Sequence, residues 1–185
     1  MITDLHDFAL IFLNGKFIGT IDRRVGQNTI DLPKSDAKTP VLEILIEAMG
    51  RINYSQNLID RKGITDRVTL NGMTLMNWEV YNIPFDSGKI KAVKKSAVYP
   101  DRRGFFFKGS FNLKNRGDTY LDLSGYKKGI IFVNGHNLGR FWEIGPQKRL
   151  FCPAPWLLKG ENEIVVFDLL QTEAKSVVGY RTLIN

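Results

Sequence analysis

One short pattern occurs twice in this chain and narrows the folds open to it. Phe8-Ala9-Leu10-Ile11-Phe12-Leu13-Asn14-Gly15-Lys16-Phe17-Ile18-Gly19 parallels Lys128-Gly129-Ile130-Ile131-Phe132-Val133-Asn134-Gly135-His136-Asn137-Leu138-Gly139, and the two Asn-Gly pairs stand 120 positions apart. In each copy an apolar run rich in β-branched and aromatic residues ends at Asn-Gly. That pair accepts φ > 0 at both central turn positions and so folds the chain back as a hairpin. Val41-Leu42-Glu43-Ile44-Leu45-Ile46 likewise matches Asn162-Glu163-Ile164-Val165-Val166-Phe167. A supersecondary plan used twice predicts two β domains of related design.

The second copy is the clearer. Strand-like runs at 130–133, 137–142, 148–152 and 164–170 are separated by Asn134-Gly135, by Gly145-Pro146, and by Pro153 and Pro155 followed by the polar turn Lys159-Gly160-Glu161-Asn162. Short antiparallel strands with turn chemistry at this spacing read as a β-sandwich. Runs at 105–111 and 119–123 precede them, and 176–184 reads as a terminal strand. In the first copy, strands are expected at 8–13, 16–22, 28–32 and 41–48, then at 68–70 and at 75–83 around Trp78. Residues 50–63 form a long, polar, irregular loop, and residues 84–98, basic and bounded by Pro, read as a linker. The expected architecture is all-β, with two antiparallel sandwiches over residues 1–92 and 93–185.

With 43% hydrophobic residues, among them 12 Phe, 6 Tyr and 3 Trp, 185 residues can fill two small cores, which excludes a disordered tail. No apolar run approaches the roughly 20 residues of a membrane span, and residues 1–4 show neither the basic start nor the apolar stretch of a secretory leader. The net charge of +7 invites a nucleic-acid reading. The basic residues, however, come in dispersed pairs such as Arg23-Arg24, Arg102-Arg103 and Lys148-Arg149, without a nucleic-acid-binding motif, so they read as a solvated surface. Cys152 is the only cysteine, which leaves no intrachain disulfide and reads as a small core residue.

Phe-Val-Asn-Gly-His-Asn-Leu-Gly-Arg-Phe-Trp at 132–142, Gly145-Pro146-Gln147, and Leu-Lys-Gly-Glu-Asn-Glu-Ile-Val-Val-Phe at 158–167, in this order and at these spacings, resemble the C-terminal β-sandwich of glycoside hydrolase family 35, the β-galactosidases. Met49-Gly50-Arg51-Ile52-Asn53-Tyr54, followed by Lys62-Gly63, resembles a segment of the family's first sandwich. The resemblance runs from about Leu5 to Leu169 and implies two jelly-roll sandwiches of the galactose-binding type. It also implies a retaining glycosidase whose two glutamates, about 5 Å apart, lie on a (β/α)₈ barrel. Such a barrel needs about 250 residues, more than this chain has. The chain is therefore expected to be non-catalytic, to need no cofactor and to pack against that barrel at the active-site mouth. The resemblance implies a secreted, periplasmic or lysosomal parent enzyme.

Candidate site residues follow from this. Arg51, Asn53, Tyr54 and Asn57, in the irregular loop, are expected to face the barrel or a carbohydrate. The alternative reading is a free-standing galactoside-binding module, with Asn137, Arg140 and Trp142 of the second domain touching sugar; the competing account of Trp142 and Trp156 is core packing. Asn53-Tyr54-Ser55 also matches a glycosylation acceptor. Glu161-Asn162-Glu163 is similar to the family's acid/base motif, but it lies in a turn entering a strand and is expected to have no catalytic role. Asp118 and Asp122 are too few for Ca²⁺, and His6 and His136 too isolated for zinc.

Two strands precede the second hairpin motif, whereas only seven residues precede the first. The first sandwich is thus expected to lack a strand at its N-terminus and to cover the open edge by self-association or by a local segment such as residues 174–185.

Overall fold

A computed structural model describes residues 1–94 and 99–183 of the chain. They form two compact units, Met1–Tyr81 and Asn82–Asn185. No helix among the described residues is long and apolar enough to cross a membrane.

In the first unit the strands are β1 (Leu5–His6), β2 (Phe8–Leu13), β3 (Lys16–Asp22), β4 (Leu42–Glu47), β5 (Gly63–Ile64), β6 (Thr69–Leu70) and β7 (Met73–Thr74). An antiparallel sheet in the order β3-β2-β4 packs Ala9, Ile11 and Ile21 against Ile2, Leu5 and Val68. Across from it, β1 pairs with β5, and Ile2 bridges Val68. The 28–32 segment expected as a strand forms none. Ile30 and Leu32 pack on the core and the Ile2 N–H donates to the Asn28 carbonyl at 2.8 Å. Pro33, which has no N–H to give a ladder, bounds the segment.

The second unit holds α1 (Ser87–Lys91), β8 (Phe105–Leu113), β9 (Thr119–Asp122), β10 (Lys128–Val133), β11 (His136–Trp142), β12 (Arg149–Cys152), β13 (Gly160–Asp168) and β14 (Val178–Tyr180). A sheet in the order β11-β10-β13-β8 faces a smaller sheet, β12-β9-β14. Between them lie Leu121, Tyr126, Ile131, Val133, Phe141, Cys152 and Val166. Gly129 sits where backbones meet, and a Cβ there would overlap the Phe167 carbonyl oxygen.

The repeat survives in detail. The β2–β3 ladder is bulged between Ile11 and Phe12, and the β10–β11 ladder between Ile131 and Phe132, again 120 positions apart. Asn14 and Asn134 both take φ near +50°. Each accepts, on its side-chain oxygen, an N–H from the next strand of its sheet or the residue before it, Val41 at 2.8 Å and Glu163 at 2.9 Å. Strand β1 stands beside β5 as β9 stands beside β14. Among the described strands, none takes beside β4 the place that β8 takes beside β13.

Two expectations are corrected. The units divide after Tyr81 instead of after residue 92, because the supposed linker belongs to the second unit. Asp86 caps α1 by accepting from the Lys89 N–H at 2.8 Å. Ile90, 1% exposed, joins Phe85 over Phe132, Val165 and Ile130 on the outer face of the larger sheet. The rest of that segment, residues 95–98, lies outside the described residues. Residues 75–83, expected as strands, form none.

Candidate functional site

The irregular loop at residues 50–63 leaves the first unit's sheet after β4 and returns in β5. Ser55 takes φ 66° and starts a 3-10 turn, Ser55–Ile59. Arg51, Asn53, Tyr54, Leu58 and Ile59 are exposed, Tyr54 by 80% and Ile59 by 86%. Asn57 lies in the same turn, and its side chain is outside the described part.

The end of the loop is fastened by charge. The Lys62 ammonium bonds Asp7 and Asp60, each at 2.7 Å. Arg23 reaches the same two carboxylates at 2.8 and 3.3 Å. Asp7 also accepts from the Met49 N–H at 3.0 Å, so the loop's entry and its exit are tied to one side chain. His6 places Nδ1 2.7 Å from Asp60 and Nε2 2.9 Å from Asp4, which in turn accepts from the Thr65 hydroxyl. The Lys62 hydrogen bond, helped by His6 and Arg23 against the opposing effect of burial, holds the Asp60 carboxyl at about 2. Burial pushes Asp7 upward, but its bonds to Lys62 and Arg23 outweigh this and the carboxyl is lowered. The same pairs raise Lys62 and Arg23.

His6 is therefore not isolated, as its sequence neighbourhood implied. His6, Asp7 and Asp60 bring potential ligand atoms within 4.8 Å of one another. Lys62 and Arg23 already occupy the two carboxylates, so the cluster works as a set of ion pairs and not as a cation cage.

In the second unit, Arg140 and Trp142 alternate along β11 opposite Ile130 and Lys128. Trp142 is half-buried beneath the Lys128 ammonium, 3.8 Å from the ring centroid. Asn137 turns its side chain back to accept from the Gly139 N–H at 2.8 Å, a local turn at the bulge. Trp142 and Asn137 thus have structural work. Trp156 stacks on His136, with centroids 4.8 Å apart. Asp118 accepts from the Ala154 N–H, and Asp122 pairs with Arg149 at 2.9 Å across the β9–β12 ladder, so these two carboxylates serve separate contacts. Burial raises the Cys152 thiol to about 11, that of a core residue.

Strand β13 already begins at Gly160, so Glu161, Asn162 and Glu163 lie in the strand and not in the turn before it. Asn162 points inward while Glu161 and Glu163 edge an open depression of about 520 Å³ shared with Lys108, Ser110 and Asn134. Lys108 pairs with Glu163 at 2.7 Å across the β8–β13 ladder.

Two family models match the chain. "Beta-galactosidase, first all-beta domain" covers residues 1–84 and "Beta-galactosidase, galactose-binding domain" covers residues 105–162. By these two matches the chain carries the first all-β domain and the galactose-binding domain of the family 35 β-galactosidases. β-Galactosidase-1-like protein 2 of Homo sapiens is 37% identical over 174 residues, which are 89% of this chain and 26% of that protein. β-Galactosidase 17 of Arabidopsis thaliana is 34% identical over 198 residues, covering 91% of this chain and 28% of the relative. A β-galactosidase of Xanthomonas manihotis is 33% identical over 150 residues, covering 80% and 24%. The chain spans about a quarter of the length of these relatives. The first β-galactosidase domain takes in the whole fastened loop, and the second runs from β8 into the start of β13.

Proposed function

We propose that this chain is the non-catalytic C-terminal region of a β-galactosidase, which supports a catalytic barrel and borders its active site. The observation that carries this reading is the loop at residues 50–63. A segment free to move would not need Lys62 and Arg23 paired with Asp7 and Asp60 at its base, and a segment meant for water would not present Tyr54, Leu58 and Ile59. A firmly based loop with apolar tips fits a surface completed by another domain. Arg51, Asn53 and Tyr54 are the residues proposed to reach the mouth of that barrel.

Two experiments test it. The pure chain is expected to turn over no chromogenic β-galactoside; turnover lost on Glu163→Gln would overturn the reading. A chimera of the Xanthomonas β-galactosidase carrying this chain in place of its matching residues is expected to be active. There, Tyr54→Ala should lower kcat/KM about tenfold with the melting temperature kept. Unchanged kinetics with a large fall in melting temperature would make Tyr54 a structural residue instead.

A second reading, a galactoside-binding module, is favoured by the open depression beside Ser110, Asn134 and the Lys108–Glu163 pair. Binding of galactosides by the isolated chain on a glycan array, lost on Ser110→Trp, would support it.

A further inference from the structure

The sequence from β7 onward is as apolar as a core strand, yet the fold leaves it outside. Leu75 is its anchor: the side chain packs on the first unit's core and its N–H donates to the Val68 carbonyl at 2.9 Å. Asn77 then takes φ 60° and redirects the chain. Met73, Met76, Trp78, Val80 and Tyr81 are all exposed, Val80 by 82% and Trp78 by 41%. Glu79 is the only charged residue of residues 73–81, in a chain where 24% of residues are charged.

The polar tips of this segment are already satisfied within it. Trp78 Nε1–H donates to the Leu75 carbonyl at 3.2 Å, and the Tyr81 hydroxyl donates to Glu79 at 2.8 Å. Docking an apolar partner over the strip would therefore cover the indole and the phenol without stranding their donors. A segment with these features is prepared for burial that the unit itself does not provide.

We propose that residues 73–81 form a docking strap by which the first unit binds the catalytic barrel of a β-galactosidase. This rests on the supporting role proposed above and gives it a surface distinct from the loop at residues 50–63. The first all-β domain of the family extends through residue 84, so the strap is part of that domain and not a tether after it. About three quarters of the length of each relative lies outside the matched region, which leaves ample protein to receive it. The other occupants fit less well. A second copy adds another chain of net charge +7, whose overall repulsion opposes pairing, and a strap without Lys or Arg lacks what an anionic lipid surface attracts.

The test compares the native strap with a Met76→Ser, Trp78→Ser, Val80→Ser variant in two settings. In the isolated chain the variant should melt with the native protein, and light scattering should find both monomeric. A lowered melting temperature would make these core residues, and a dimer dispersed by the variant would make the occupant a second copy; either overturns the proposal. In the Xanthomonas chimera the variant should lose about tenfold in activity and melt earlier than the native-strap chimera. An active, equally stable variant chimera would remove the strap and leave the supporting role standing. A native-strap chimera that neither folds nor turns over substrate, beside an active unmodified host, would take down both.

Discussion

Asn162 lies inside the strand between two outward glutamates, 1% exposed. Its oxygen accepts from the Leu158 N–H at 2.7 Å and from Asn134 Nδ2 at 2.9 Å, and its own Nδ2 donates to the carbonyls of Leu158 and Gly160. It thereby closes the turn before β13 and links it to the hairpin asparagine of β10–β11. Read from sequence, Lys159-Gly160-Glu161-Asn162 is a solvated polar turn; the alternation of a strand, which aims every second residue inward, is what buries the amide. Replacing it with Ala strands several buried donors and acceptors at once. Asn162→Ala should destabilise the second unit by roughly 2–3 kcal/mol, and Asn162→Asp, which keeps the acceptors but loses both donors, should also destabilise it. Urea unfolding checks this, and a change below about 0.5 kcal/mol for Ala would show that water replaces the amide.

At the level of elements, what could be read from sequence depended on range. The two Asn-Gly hairpins declared themselves because the turn and both strands are local, and even their shared bulge follows the 120-residue offset. The fastening of residues 50–63 did not, because Asp60 meets His6 from 54 positions away and Lys62 meets Asp7 from 55. Residues 75–83, which overlap the strap, read as strands because apolar composition signals burial without saying in what. The fastening has a pH signature. Asp60 and Asp7 titrate below the usual carboxylate range in the folded unit, Asp60 at about 2. Depressed folded values mean stability that is present above about pH 4, the ordinary carboxylate value, and is lost as the pH falls toward 2. Limited proteolysis within residues 50–63 should therefore accelerate between pH 4 and pH 2, ahead of cleavage in the second unit. Lys62→Met should cleave faster already at neutral pH and respond less to acid. A cleavage rate independent of pH in the native chain would show that these ion pairs do not hold the loop.

At the scale of the molecule, one plan has been built twice with different completions. In the second unit the larger sheet gains β8 and is also covered on its outer face, where Phe85 and Ile90 lie over Phe132 and Val165. The sequence divided the chain near residue 92 because residues 84–98 carry Pro and Lys and look like a tether. A single buried isoleucine on a short helix is too weak a pattern to oppose that. Its energetic weight is larger than its pattern. Removing residues 82–98 deletes Ile90 and Phe85 and returns the faces of Phe132 and Val165 to water, a loss comparable to a large-to-small core substitution, about 3 kcal/mol. A fragment of residues 82–185 should fold alone and unfold at distinctly higher urea than one of residues 99–185, with Trp142 and Trp156 fluorescence reporting both transitions. The shorter fragment should also bind a hydrophobic dye through the uncovered face. Equal midpoints and no dye binding would mean that α1 rests on the sheet without stabilising it, and that the second unit begins at β8.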